Sequence, residues 1–309
     1  MKLSVVTTIY RTSGAIAEFH RRASAVAIEI GCDLELIFVN DGSPDDGLEV
    51  ARKVARQDPR VIVIDLSRNF GQHRALWTGM EHATGNLVAI FDGDLEEDPA
   101  WLIEFHRLMN ETESDVVYGV QRDPKGRAVY RGGRKVFYSV LNTLAAIEFP
   151  TNVVTARLMT RRYVDALLRF EERELFLVGL MHMAGFVQTA TLVDKPKLTE
   201  TKYTFRRLFW LFLNAVTAFS TAPLAAIFLA GIGLSLGALA FIGLLVFRYY
   251  WFGVGVEGWT SVMAAVVFFS GVLLFFNGVM AIYIGTIFME VKRRPLSIVR
   301  TIHRGGDGV

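Results

Sequence analysis

The chain has 309 residues, with 33 Lys and Arg against 31 Asp and Glu, and 52% of it is hydrophobic. A net charge of +2 excludes the strongly basic surface of a general nucleic-acid binder. The single cysteine, Cys32, excludes a disulfide within the chain and fits a reducing compartment.

The apolar excess is uneven. Residues up to about 202 read as a soluble α/β domain, and after 208 the chain becomes overwhelmingly apolar. The first eight residues are too short an apolar run for a signal peptide and read as a strand. Strands at 3–10, 34–39, 61–66 and 87–91 alternate with helices at 15–30, 45–57 and 73–82. Further strands are expected at 116–120, 155–160 and 186–193, with helices at 135–147 and 162–170. The alternation predicts a mostly parallel sheet with helices on both faces. Such sheets bind ligands outside the carboxyl ends of their strands. Three polar clusters fall there: Asn40-Asp41-Gly42-Ser43, Ser67-Arg68-Asn69-Phe70-Gly71 and Asp92-Gly93-Asp94.

The C-terminal third is different. Neither 223–247 nor 258–289 contains a charged residue, and each exceeds the roughly 20 apolar residues that cross a bilayer core. The short connection makes them a hairpin. Arg206 and Arg207 precede it and Lys292, Arg293, Arg294, Arg300 and Arg304 follow it, whereas the connection holds only Arg248. The positive-inside rule therefore places both ends in the cytoplasm. Tyr249, Tyr250, Trp251 and Trp259 suit the opposite interface. Residues 203–219 fit either an amphipathic helix in the interface plane or a helix packed on the domain.

Asp92 and Asp94 leave the end of a strand as hard oxygen ligands for Mg²⁺ or Mn²⁺. An ion held by few carboxylates keeps positions open for the phosphates of a nucleotide diphosphate. Asp41 reads either as an acceptor for a nucleotide base or as a turn residue with Gly42 and Ser43. Arg68 and Asn69 end the third strand near the same edge, and His73 and Arg74 open the next helix, where an anion is favoured. His73 alone reads as a surface or capping residue. Glu97 is either a further functional carboxylate or part of a helix start. The basic set Arg122, Lys125, Arg127, Arg131 and Arg134 suits a lipid phosphate or a solvated face.

Together these residues resemble the family 2 glycosyltransferases that act on polyprenyl phosphates. The matching elements are the first strand ending at Tyr10, Phe38-Val39-Asn40-Asp41-Gly42-Ser43, Arg68-Asn69-Phe70-Gly71, Gly79, Asp92-Gly93-Asp94-Leu95, Arg157-Leu158-Met159, Glu172-Arg173, Gly185-Phe186, Thr201-Lys202-Tyr203 and Pro223-Leu224. Departures occur at Thr8, where the family has Pro, and at Arg11-Thr12, where it has Asn-Glu. Others lie at Glu97 for Asp, Asp98 for Pro, Val154-Thr155 for Gly-Asp, Pro196 for a basic residue and Thr199 for Gly. Lys195 and Lys197 flank Pro196 and can substitute for that basic residue.

The resemblance implies a GT-A, Rossmann-like catalytic domain at 1–202, an interfacial helix at 203–219, a transmembrane hairpin at 220–290 and a basic tail at 291–309. It implies a bacterial plasma-membrane enzyme, with catalytic domain and termini cytoplasmic, moving a sugar with inversion from a nucleotide donor to polyprenyl phosphate. A UDP-sugar such as UDP-glucose is the expected donor. Asp92 and Asp94 are the expected ligands of Mg²⁺ or Mn²⁺ and, with Glu97, the catalytic set. Thr8, Tyr10, Asp41, Arg68, Asn69 and Gly93 would meet the donor, and Arg122, Arg127, Arg131, Arg134 and Lys202 the acceptor phosphate. The sequence leaves room for a homo-oligomer. Two competing readings are a processive polysaccharide synthase, which carries Gln-x-x-Arg-Trp and more membrane helices, and a non-catalytic membrane scaffold. Gln57, Gln72, Gln121 and Gln188 all lack the Gln-x-x-Arg-Trp context.

Overall fold

Short apolar runs without polar interruption become strands buried on both faces, because only there does every side chain leave water. A computed structural model describes residues 1–122, 152–172, 177–195, 222–252 and 258–306. The strands are β1 (Lys2–Ile9), β2 (Asp33–Asn40), β3 (Val61–Leu66), β4 (Leu87–Phe91), β5 (Val116–Gln121), β6 (Val153–Thr160), β7 (Gln188–Val193) and β8 (Val299–Arg304). They form one sheet in the order β7-β5-β6-β4-β1-β2-β3-β8. Pairs β1–β2, β1–β4, β2–β3 and β5–β7 are parallel. Pairs β3–β8, β4–β6 and β5–β6 are antiparallel, so the sheet is mixed, with a parallel centre.

Helices cover both faces. On one side lie α1 (Ile16–Glu29), α2 (Gly47–Gln57) and α4 (Trp101–Thr112), packing Phe19, Ala51 and Leu102 against Leu3, Val5 and Phe38. On the other lie α3 (Gln72–His82), α5 (Arg161–Leu167) and α6 (Leu177–Met183), packing Trp77, Tyr163 and Leu180 against Val6, Ile37 and Ile90. Val5 and Val6 thus feed opposite cores, as a period of two requires. Phe19 meets Phe38 and Phe91 edge-on, with ring centroids 6.2 Å apart in each pair.

The chain order reverses at β1, which lies between β2 and β4. Register brings Ile9 level with Asn40, Asn40 level with Asp65, and Thr7 level with Phe91. The loops after β1, β2, β3 and β4 therefore leave the sheet side by side, at the switch point where such sheets bind ligands.

The second unit holds α7 (Ala222–Phe252) and α8 (Trp259–Val291), of 31 and 33 residues. Each contains a stretch long and apolar enough to cross a membrane, with mean hydropathy 2.3 and 2.1. Their side chains are widely exposed, among them Phe228, Leu236, Leu274 and Phe275.

The predicted strands and soluble helices among the described residues appear within a few residues of their expected ends. Among the described residues α4, α6, β8 and a short 3-10 turn at Ser13–Ala15 are additional. The stretch read as a basic tail thus returns to the sheet as an edge strand. The helix expected at 135–147 and the interfacial segment 203–219 lie outside the described residues.

Candidate active site

Four loops converge on an open cleft of about 230 Å³ lined by Thr8, Tyr10, Thr12, Asp41, Asn69, Gly71, Gln72, Asp92, Gly93 and Asp94. Five residues expected at the donor (Thr8, Tyr10, Asp41, Asn69 and Gly93) and both expected metal ligands are thereby brought together. Arg68 stands instead over the Phe70 ring at 4.1 Å and lines a neighbouring recess. Arg122 follows β5, is largely exposed and pairs with Asp194 at 3.6 Å. Arg127, Arg131, Arg134 and Lys202 lie outside the described residues.

Asp41 is buried, yet it does not build a turn with Gly42 and Ser43. Its carboxylate accepts the backbone N–H groups of Phe70, at 2.7 Å, and Gly71, at 3.0 Å, tying the β3–α3 loop to β2. Burial pushes its carboxyl up, and these two amides oppose the shift. Asn40 makes the local turn instead, its side-chain oxygen accepting Ser43 N–H at 3.1 Å. Gly42 has φ +61° and touches the backbone of Arg68 and Asn69, an approach that a Cβ would block.

The second centre is acidic. Asp92, Asp94, Glu96 and Glu97 crowd one turn at the end of β4. Glu97 is fully buried and does not line the cleft. Its carboxylate accepts Thr155 N–H at 2.8 Å and Asp92 N–H at 3.2 Å, so it shapes the turn that presents Asp92. Burial, and then the Asp92 charge, push its carboxyl up to about 7. Burial likewise pushes Asp94 up.

Two neighbours of this cluster carry a signal that sequence motifs did not isolate. Gln72 donates its amide to Asp92 Oδ1. The Lys195 Nζ lies 3.3 Å from Glu96, 3.5 Å from Asp92 and 3.6 Å from Glu97. Burial lowers the Lys195 pKa, but Glu97, Asp92 and Glu96 outweigh it and hold the ammonium charged. One ammonium among these carboxylates leaves an excess of negative charge even with Glu97 raised toward neutrality.

That excess suits a divalent cation, and carboxylate oxygens are its preferred donors. Among the described residues no ready group of three protein ligands exists. Asp92 and Asp94 would therefore hold an ion that draws its remaining ligands from water and substrate phosphate, as Mg²⁺ sites commonly do. The Thr12 hydroxyl adds a second indication. It lines the cleft, is buried and lacks a hydrogen-bond partner, so a ligand oxygen would satisfy it.

A mixed sheet with a parallel centre and helices on both faces is the GT-A, Rossmann-like fold. The sequence places it further: residues 4–168 match the model of Glycosyl transferase family 2, and the chain belongs to that family. A putative glycosyltransferase of Mycobacterium tuberculosis is 41% identical over 99% of this chain and 90% of its own. The SfII prophage-derived bactoprenol glucosyl transferase of Shigella flexneri is 32% identical over 99% of both chains. The prophage bactoprenol glucosyl transferase homolog of Escherichia coli K12 is 30% identical over 98% of this chain and all of its own. Among solved structures, the mannosyltransferase PcManGT of Pyrobaculum calidifontis with GDP-Man and Mn²⁺ matches at TM-score 0.46. It is 16% identical and covers 94% of this chain and 86% of its own.

Proposed function

We propose that this glycosyltransferase moves a hexose, glucose by the measure of its relatives, from a nucleoside diphosphate sugar to a polyprenyl phosphate. The observation that carries the reading is the cleft at the switch point, where Asp92 and Asp94 face Asp41, Asn69 and Thr12. Near-full-length similarity to bactoprenol glucosyl transferases supports the acceptor. Two long exposed apolar helices in the same chain support a membrane-borne acceptor. The donor is a UDP-sugar and the ion Mg²⁺ or Mn²⁺.

Bound at Asp92 and Asp94, such an ion would offset the charge of the leaving diphosphate. Lys195 adds a fixed positive charge 3.5 Å from Asp92 Oδ2. Glu97 positions Asp92 through its backbone. The acceptor phosphate is an oxyanion at neutral pH and attacks the anomeric carbon opposite the leaving group. A side-chain base is not required, and inversion follows. Arg122, Arg127, Arg131, Arg134 and Lys202 are assigned to hold that phosphate.

The helices would anchor the enzyme in the bacterial plasma membrane. The return of β8, which follows α8, to the sheet that contains β1 supports a hairpin with both ends on one side of the membrane. The basic residues Lys292, Arg293 and Arg294 after α8 support a cytoplasmic side.

The test is to incubate membranes bearing the protein with undecaprenyl phosphate, Mn²⁺ or Mg²⁺ and a panel of nucleotide sugars. One lipid-linked hexose, lost on chelation, is expected by mass spectrometry. A polymer product, or no glycolipid with any donor, would overturn the reading.

A further inference from the structure

Strand β8 lies beyond the segment matched by the family model, and the donor chemistry described above makes no use of it. Its pairing with β3 is irregular. Asp65 faces Thr301 and Leu66 faces Val299, so Arg300 is one residue too many on its strand and faces nothing. Such a bulge twists the strand and re-aims the extra side chain, and bulges favour the surroundings of active sites.

Arg300 reaches the carboxyl end of β3. It donates to the Ser67 carbonyl at 2.7 Å and to Asp65 Oδ2 at 3.3 Å. Ser67 is also gripped from its amide, which donates to Ile298 O at 2.9 Å. β8 thus holds the first residue of the β3–α3 loop from both sides. The other contact leads inward. Asp65 is buried, and its second oxygen accepts from the Asn40 side-chain amide at 2.7 Å. Asn40 in turn accepts Ser43 N–H, and Ser43 Oγ accepts Arg11 N–H at 2.7 Å. The guanidinium therefore stands at the head of a polar relay joining the loops after β3, β2 and β1. Those loops supply Asn69, Asp41 and Thr12 to the cleft.

We propose that Arg300 is a positioning residue for the nucleotide donor, setting the spacing of the β1, β2 and β3 loops from the strand that follows the last apolar helix. This inference rests on the cleft being the donor site. Arg300 is more than half exposed, and an exposed ion pair alone is worth little. Its leverage comes from Asp65, for which Asn40 is the remaining side-chain partner among the described residues if the guanidinium goes.

The test uses the full chain in detergent or nanodiscs. UDP affinity is measured by calorimetry with Mn²⁺, together with KM for donor and acceptor, kcat and Tm. Arg300→Met should weaken UDP binding and raise donor KM about tenfold, the scale of one charge-assisted hydrogen bond. kcat and acceptor KM should change less than about threefold, since neither depends on the relay. Arg300→Lys should recover part of the donor affinity by keeping a charge beside Asp65. Arg304→Ala, elsewhere on β8, should leave the donor KM at the wild-type value. A merely structural role would lower Tm and active fraction with KM and UDP affinity unchanged, and that result overturns the proposal. Wild-type donor KM in Arg300→Met also overturns it. Wild-type protein that binds no nucleotide sugar would sink the donor-site reading itself, and this inference with it.

Discussion

Gly42→Ala tests the cleft geometry most directly. Gly42 sits at φ +61°, and a Cβ there would lie 2.6 Å from Asn69 N and 2.7 Å from the Arg68 carbonyl carbon. Both are backbone atoms, so no side-chain rotation relieves the clash. Restoring ordinary contact requires the β2 and β3 loops to part by about 0.8 Å. The left-handed backbone adds about 1 kcal/mol for alanine. Parting the loops also stretches the bonds from Phe70 and Gly71 to Asp41. Displacements near 1 Å at a reacting site cost on the order of 100-fold, or about 2.7 kcal/mol of transition-state stabilisation. The assay is glycolipid formation with varied nucleotide sugar, alongside thermal unfolding. Donor KM should rise and kcat/KM fall by that order, while Tm drops only about 2–4 °C per kcal/mol. Gly42→Asn separates the two causes, because asparagine tolerates the left-handed region but keeps the Cβ. A wild-type donor KM in Gly42→Ala would refute the steric reasoning, and full recovery in Gly42→Asn would show that strain alone mattered.

Asp92→Asn and Asp94→Asn should each reduce turnover by at least about 100-fold with near-native Tm, and wild-type turnover in either would remove them from the reaction. Lys195→Met should tighten Mn²⁺ binding without donor by on the order of tenfold, because a competing cation leaves three carboxylates. Unchanged or weaker binding by calorimetry would show that Lys195 does not compete with the ion. Asp58 accepts hydrogen bonds from Arg60 and His20, which hold its carboxyl well below the ordinary value of 3.8. Its stabilising effect is complete above that value and lost as pH falls through the lower folded one. Asp58→Asn should therefore lower Tm at neutral pH and flatten the acid limb below about pH 4, and an unchanged limb would count against the pairing. Arg11 holds φ 59°, a conformation asparagine adopts more readily, so Arg11→Asn should raise Tm by about 1–2 °C.

The parallel centre was legible because each strand there is a short, largely apolar run followed by a polar cluster. The carboxylate pair was legible for the same reason, standing at the end of the run that became β4. β8 was not, because Val299-Arg300-Thr301-Ile302-His303-Arg304 is an edge strand, basic in composition and largely exposed. Such a stretch reads as a solvated tail until its partner is known. Helix α4 follows the acidic turn without a side-chain cap at its start, which removed the usual signal. Lys195 could be named as a basic residue near a family position, but its reach from beside β7 to the end of β4 depends on a sheet order that sequence does not contain.

The departures from the family pattern can be judged by what each position contributes. Thr155 stands where the family has Asp, and the contact it makes to the acidic turn is its backbone N–H to Glu97. Val154 and Thr155 each accept a hydrogen bond from the Arg157 guanidinium through the backbone carbonyl. Arg11 reaches Ser43 through its amide. Hydrogen bonds of this kind survive a change of side chain, so these differences leave the frame around Asp92 intact. What a changed side chain alters is the surface offered to a ligand, and Thr8 and Thr12 both line the cleft. Thr12, with its unpartnered buried hydroxyl where the family has Glu, replaces a charge with a neutral donor. Differences in donor preference between this chain and its relatives should therefore trace to Thr8 and Thr12 rather than to the acidic turn.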